Sequence, residues 1–389
     1  MTQLHFTINS EDIQSLIKES VDNKIARDIL TKLFNQLMEK ERDQYLENEA
    51  YQRDPDRKTY RNGYYERDYT TKIGSITLRV PRTRDGKFST ELFERYQRNE
   101  KALITSMLEM YVQGVSTRKV TKVMEELCGQ TYSKSFVSSL TKQLDEDVNK
   151  WRNRDISLVK YPYLLVDVVY IKVRENRRVV SKACHIAIGI SEEGKREILG
   201  LDISQGETVS SWSNFFEYLK KRGLSGLKMI ISDSHKGLVG AIKESFTNVS
   251  WQRCQAHFIR NILERSPKKN TEEFRDDVKA LFRIKDISLA RKVKDEIFNK
   301  YEKDKKYEKS LKILDEGFED SICYLTMPNP HSRLKTTNCL ERLNQEVRRR
   351  EQVIRIFPNV DSAVRLIGSI LIDINEDWIT SSRVYIKIY

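Results

Sequence analysis

No run of apolar residues in this chain approaches the ~18 that a membrane-spanning helix requires, and Lys172 and Lys182 interrupt the best candidate region. The opening, Met1-Thr-Gln-Leu-His-Phe-Thr-Ile-Asn-Ser10, has neither the basic start nor the apolar core of a signal peptide. Cysteine is scarce: five residues, at 128, 184, 254, 323 and 339, are odd in number and form no CxxC pair. That scatter argues against a disulfide framework and a zinc ribbon, and for reduced thiols. Internal repeats and low-complexity tracts are also missing. These absences predict a cytoplasmic protein with no membrane partner.

What is present is positive charge. Lys and Arg number 69 against 57 Asp and Glu, for a net charge of +12. The excess is either a lysine-rich solvated surface or the footprint of a polyanionic partner. At 389 residues the chain is longer than one core usually supports.

Residues 10–50 read as two helices. Ser10 can cap the first, with Ile13, Leu16, Ile17 and Val21 at helical spacing, and Ile25 to Met38 continue in a second. A β texture follows from Tyr64 to Ser89, where Ile76, Leu78 and Val80 alternate with polar residues. Residues 51–101 hold thirteen Lys/Arg against eight Asp/Glu, interleaved with tyrosines and phenylalanines. Such a mixture suits a DNA-contacting module, with Arg61, Arg82 and Arg84 as candidate contacts, or a small β subdomain with a tyrosine core. Three helical segments then run from Ala102 to Asp147. Ser116 can cap the second and Ser133 the third, whose inward residues would be Val137, Leu140 and Leu144. This is compatible with a helix-turn-helix or a plain three-helix bundle; Arg118, Lys119, Lys134 and Lys142 are its candidate DNA contacts.

The most strand-like run is Tyr161-Pro-Tyr-Leu-Leu-Val-Asp167-Val-Val-Tyr-Ile-Lys-Val173, whose composition predicts burial on both faces. A carboxylate there is costly unless it pairs, hydrogen-bonds or holds a cation. A second run, Leu227-Lys-Met-Ile-Ile-Ser-Asp233, delivers another aspartate just past its apolar end. Across 161–252 the pattern is β-β-β-α-β-α-β, the order expected of an RNase H-like core with a mixed five-stranded sheet. In such a core the first and fourth strands are neighbours, so Asp167 and Asp233 would converge. Adjacent carboxylates call for a cation, and oxygen-only ligands favour Mg²⁺ or Mn²⁺.

Glu341 is the candidate third acid, on a helix that Thr337 or Asn338 can cap. Leu340, Leu343 and Val347 would form its buried stripe, with Glu341, Asn344 and Arg348 on another face. Standing alone, this segment also fits a solvated Glu–Arg helix face.

Eight stretches, in order and spacing, carry a resemblance. They are Arg61-Asn-Gly-Tyr64, Val80-Pro-Arg-Thr-Arg84, Arg95-Tyr-Gln-Arg98, Gly114-Val-Ser-Thr-Arg118, Asp167-Val-Val-Tyr-Ile-Lys-Val-Arg174, Ser232-Asp-Ser-His-Lys-Gly-Leu238, Trp251-Gln-Arg-Cys-Gln-Ala-His-Phe-Ile-Arg-Asn261 and Thr336-Thr-Asn-Cys-Leu-Glu-Arg-Leu-Asn344. Together they resemble the Mutator-type bacterial insertion-sequence transposases. The resemblance implies that Asp167, Asp233 and Glu341 form a DDE triad holding two divalent cations, Mg²⁺ or Mn²⁺. It implies double-stranded DNA partners (terminal inverted repeats and target) and a homodimer or higher assembly on paired ends. A nucleoid-associated bacterial location and a possible circular intermediate follow from the same likeness. Cys254 and His257 match the family's Cys-x-x-His; they are too few for a zinc site, so His257 is expected to support the acids and Cys254 to pack the core.

The expected organisation is a helical region at 1–53, a small β module at 54–101 and a helix-turn-helix-like domain at 102–150. An RNase H-like catalytic core would follow at 151–253 and 332–389, split by a helical insertion at 254–331. Two other functions share parts of this pattern. A metal-dependent nuclease or resolvase would share the acids without needing the modules at 51–147, and a non-enzymatic DNA-binding regulator would need only the helices.

Overall fold

The computed structural model describes residues 23–47, 58–71, 74–92, 101–128, 132–269 and 271–387. The expected first helix and its Ser10 cap lie outside them. The chain divides into two compact units, Met1–Lys142 and Gln143–Tyr389.

In the first unit, helix α1 (Asn23–Leu46) lies on an antiparallel hairpin of β1 (Arg61–Thr71) and β2 (Gly74–Thr83). The alternation in β2 does what its period of two demands. Ile76, Leu78 and Val80 turn inward onto Met38 and Tyr69, and the residues between them are exposed. Of the tyrosines here, Tyr69 is core, whereas Tyr60 and Tyr64 are exposed. Helices α2 (Lys101–Val112), α3 (Thr117–Cys128) and α4 (Lys134–Thr141) share a separate core of Leu103, Met107, Val120, Met124, Val137 and Leu140. Ser133 caps α4 as expected, its Oγ accepting from the Phe136 N–H at 3.0 Å. The helix expected to run on to Asp147 is instead broken at Lys142–Gln143. Leu144 starts a new helix, α5 (Leu144–Arg152), which belongs to the second unit. Its Asp145 carboxylate accepts from Nε and Nη2 of Arg365, at 2.6 and 2.7 Å.

The second unit is built on a five-stranded sheet: β3 (Tyr163–Glu175), β4 (Arg178–Ile190), β5 (Arg196–Ser204), β6 (Met229–Ser232) and β7 (Ser250–Arg253), in the order β5-β4-β3-β6-β7. The first three strands are antiparallel, and β6 and β7 run parallel to β3. Helices α6 (Val209–Lys221) and α7 (Lys236–Ser245) cover one face. Trp212, Phe215, Phe216 and Leu219 of α6 meet Leu164, Val166, Ala187 and Leu199 there. Each of the leucine, valine and phenylalanine side chains contributes roughly 1.5–3 kcal/mol on burial. A capping box fixes the start of α6: Thr208 Oγ1 accepts from Ser211 N–H at 3.1 Å and Ser211 Oγ accepts from Thr208 N–H at 3.0 Å.

Burial of β3 on both faces holds only through Val166. Beyond it Ile171 and Val173 are buried, while Tyr170, Lys172 and Arg174 face solvent. The aromatic helices of the first layer cover only the first half of this long strand, so the second half buries one face.

Between β7 and the last two helices comes an all-helical stretch: α8 (Gln255–Glu264), α9 (Glu272–Leu281), α10 (Ile287–Tyr301) and α11 (Glu308–Ile322). Buried Gln252 fastens it to the sheet. Its Nε2 donates to the Ser321 carbonyl at 2.6 Å and its Oε1 accepts from Tyr324 N–H at 2.7 Å. Helices α12 (Asn338–Ile354) and α13 (Val360–Thr380) then return to the sheet's other face. No helix among the described residues is long and apolar enough to cross a membrane.

Candidate functional site

Strand β3 has thirteen residues and β6 only four, so their pairing ends early. The register is Tyr163 with Met229, Leu164 with Ile230 and Leu165 with Ile231. Two further steps bring Asp167 opposite Asp233. On β3 the next edge partner is Phe357, bridged to Val173. Asp167 therefore sits in a gap along the sheet edge, beside the carboxyl end of β6, where open α/β sheets offer a crevice to ligands.

Helix α12 packs against β3 at this gap. Its buried stripe is Leu340, Leu343 and Val347, as the spacing predicts. Asn344 is also buried, and its Nδ2 donates to Asp167 Oδ2 at 2.8 Å. The other carboxylate oxygen accepts from the Val168 N–H at 2.8 Å. Glu341, one turn earlier, lies with Oε1 3.5 Å from His257 Nε2. Arg348 is exposed and makes no hydrogen bond or ion pair with these acids among the described residues.

Thr337 occupies the position before α12 but does not cap it. Its Oγ1 and N–H both donate to Cys254 Sγ, at 3.3 and 3.4 Å, and His257 Nδ1 lies 3.3 Å from the same sulfur. A buried thiol with three such neighbours is a better use of the hydroxyl than a solvated cap. The Cys254 N–H in turn donates to the Ser232 carbonyl at 2.7 Å, joining the ends of β6 and β7. Cys254 thus connects the second aspartate's strand to the glutamate's helix, and His257 spans from that sulfur to Glu341.

The electrostatics follow from this crowding. Burial pushes the Asp167 carboxyl up, the Val168 N–H opposes it, and the charge of Asp233 adds to the rise, to about 6. The hydrogen bond with Cys254 raises His257 to about 9 against its own burial. Burial alone would push the Cys254 thiol up, but the hydrogen bonds from His257 and Thr337 win and it falls below the ordinary thiol range.

Sequence reasoning missed one acid. Glu207, in the turn before α6, is a mostly buried carboxylate with Oε1 3.5 Å from His235 Nδ1 and Oε2 3.5 Å from the Tyr170 hydroxyl. Burial, and then the charge of Asp233, raise its carboxyl. A single glutamate in a Gly-Glu-Thr turn carries no pattern that separates it from a surface residue. The nearest signal was Gly237: a Cβ there would lie 2.7 Å from the Glu207 carbonyl, so only glycine admits that turn.

The donor set is carboxylate oxygen, which suits a hard divalent cation. Among the described residues no three His, Cys, Asp or Glu side chains close on a single point that would hold an ion.

The candidate DNA contacts separate by environment. Arg61 is engaged by Asp43 at 2.9 Å. Arg82 and Arg84 are exposed and lie over the Tyr65 and Tyr60 rings, at 4.5 and 5.5 Å. Arg118, Lys119, Lys134 and Lys142 are all exposed.

A profile of the Mutator family of transposases matches residues 1–381. The chain belongs to that family. It is 59% identical over 387 residues to the transposase for insertion sequence element IS256 in transposon Tn4001 of Staphylococcus aureus, covering 100% of this chain and 99% of the relative. The transposase for ISRM5 of Rhizobium meliloti is 38% identical over 384 residues, 98% of this chain and 95% of that one. The transposase for IS1081 of Mycobacterium tuberculosis is 33% identical over 385 residues, 98% and 92% of the two chains. A weak structural similarity, TM-score 0.30 at 11% identity over 77% of this chain and 83% of the other, links it to the Drosophila P element transposase strand transfer complex. This Mutator-family chain thus shares nearly its full length with insertion-sequence transposases.

Proposed function

We propose that this family member binds the terminal inverted repeats of an insertion sequence and catalyses DNA cleavage and strand transfer on an RNase H-like core, with Asp167, Asp233 and Glu341 as its DDE acids. The observation that carries the reading is the meeting of Asp167 with Asn344 of α12 at 2.8 Å, beside the end of β6 where Asp233 emerges. Antiparallel β5-β4-β3 followed by parallel β6 and β7 supports the core assignment.

Asp167, Asp233 and Glu341 would hold two divalent cations, Mg²⁺ or Mn²⁺, whose charge assists both the attacking and the leaving oxygen of an in-line displacement. The remaining work belongs to the chain itself. Asn344 and the Val168 N–H orient the Asp167 carboxylate, and charged His257 holds Glu341. Water attacks a phosphodiester at the element's end and frees a 3′-hydroxyl. That hydroxyl then attacks a second phosphodiester and displaces a new 3′-hydroxyl, so one bond forms as one breaks. Exposed Arg82, Arg84, Arg118, Lys119, Lys134 and Lys142 contribute phosphate contacts at the ends. Two ends held together require at least a homodimer.

The test is cleavage and joining of labelled inverted-repeat DNA with Mg²⁺ or Mn²⁺. Asp167→Asn, Asp233→Asn and Glu341→Gln are each expected to abolish both steps and retain end binding. Full activity in any of the three overturns the acid assignment. Cleavage without joining points to a nuclease.

A further inference from the structure

A second concave surface of the same unit has no place in the scheme above. It is a cleft of about 700 Å³ beside α12, lined in part by its Asn338, Cys339 and Arg342. Arg196 at the start of β5, Arg333 and Lys335 in the short 3-10 turn Ser332–Lys335, Arg342 of α12 and Arg383 after α13 all line it. The carboxylate lining it is Asp377. None of the five cations has an ion-pair partner among the described residues. Like charges do not gather in one hollow without cost unless an anion compensates them.

The cleft is also rigidly made. The Arg196 guanidinium stacks 3.8 Å from the Trp378 ring centroid and 5.2 Å from that of Tyr385. Arg333 lies over Tyr385 at 4.7 Å and donates to the Tyr385 carbonyl. The segment carrying Tyr385 is pinned in turn: the N–H groups of Tyr385 and Ile386 donate to the Gly194 carbonyl at 2.9 and 3.0 Å. Gly194 has φ +76, and a Cβ there would collide with the Ile386 carbonyl. Aromatic faces hold two guanidiniums in fixed planes, which is what bidentate phosphate recognition needs. Burial depresses Arg196, and the neighbouring Arg333 and Arg383 add to the effect.

We propose that this cleft binds the phosphate backbone of DNA running past the reaction site. Arg342 follows Glu341 directly, about 100° around the helix. A strand leaving the acids can therefore cross α12 and enter the cleft. The choice of DNA over another polyanion rests on the strand-transfer reading; the existence of a phosphate site does not.

The experiment photocrosslinks full-length protein to duplex DNA carrying a photoreactive base, with peptide mapping, and measures the salt dependence of binding. Crosslinks are expected in peptides spanning 333–342 and 377–387. Arg342 and Arg383 are exposed, so the Arg342→Glu/Arg383→Glu double variant should fold, with melting and circular dichroism as the check and Arg342→Gln/Arg383→Gln as the milder substitute. Either variant should lose these crosslinks while keeping those before residue 143. The slope of log K against log salt should fall by about 2, one phosphate contact per arginine. Crosslinks absent from the cleft, or an unchanged slope, overturn the proposal. Saturable binding of inorganic phosphate that the variants lose, with no DNA crosslink at the cleft, overturns it in favour of a small-anion site. Both readouts record contact, not cleavage, so failure of the acid assignment and failure of the cleft are separately visible.

Discussion

Asn344 and Asp167 stand 177 residues apart in sequence and 2.8 Å apart in space, joined by a hydrogen bond from amide to carboxylate. The other amide atom, Asn344 Oδ1, has no protein partner among the described residues. Removing a hydrogen bond to a charged group costs roughly 1.5–3 kcal/mol. Asn344→Ala should therefore slow strand cleavage by about 10- to 150-fold, with end binding retained. Asn344→Asp should be worse, since it sets a third negative charge against Asp167 and Asp233. Single-turnover cleavage alongside mobility-shift binding separates the two effects.

Asp167 makes the metal-free protein sensitive to pH. Its carboxyl is raised to about 6 in the fold, so its contribution to stability is complete below the ordinary aspartate value and lost as pH rises through 6. In chelator, Asp167→Asn should stabilise the fold at pH 8 by an amount on the order of 3 kcal/mol, seen as a higher melting temperature. The gain should shrink to nothing below about pH 4. Added Mg²⁺ should reverse the ranking, stabilising the wild type and not the variant.

The Cys254–His257 contact should shift both titrations, lowering the thiol and raising the imidazole. His257, raised to about 9, stabilises the fold most fully below the ordinary histidine range and loses that contribution as pH climbs through 9. His257→Gln should destabilise by ~1–2 kcal/mol at neutral pH, after allowance for its partial exposure. The penalty should fade in alkaline solution. Ultraviolet thiolate absorbance should appear at lower pH in the wild type than in His257→Gln, and be absent from Cys254→Ser.

Gly237 tests the turn that carries Glu207. A methyl group there meets backbone, 2.7 Å from the Glu207 carbonyl and 3.0 Å from that of Thr208, and backbone cannot rotate aside. Gly237→Ala should cost ~1–3 kcal/mol by overpacking. It should also lower cleavage activity, whereas Gly206→Ala, where a Cβ meets nothing within 4 Å, should leave stability nearly unchanged.

Much of this arrangement was legible because its physics is local or ordered along the chain. The apolar run around Asp167, the capped helices and the stripe on α12 all follow from period and composition. The neighbouring of β3 and β6 followed from the order of elements and not from either strand alone. Other features depend on contacts that no local pattern encodes. Half of β3 is bare on one face because α6 and α7 stop short of it. Thr337 spends its hydroxyl on a sulfur 83 residues away instead of on its own helix. Arg61 has its charge absorbed by Asp43, and Glu207 becomes part of the site only when the α6 turn folds against Gly237. Within the Trp251-Gln-Arg-Cys254 stretch the tryptophan and glutamine are fasteners: Trp251 Nε1 donates to Ser232 Oγ at 2.9 Å, and Gln252 ties down α11.

The late position of α12 has a bearing on how such a protein comes into being. Every strand of the sheet lies before residue 254, whereas Asn344 and Glu341 lie after residue 337. A chain emerging from the ribosome therefore completes its sheet, with both aspartates aboard, well before the glutamate exists. On the proposed assignment, nascent and prematurely terminated copies can grip DNA but cannot cut it. Translation itself acts as the safety catch, released only when the C-terminal helices close over the finished sheet.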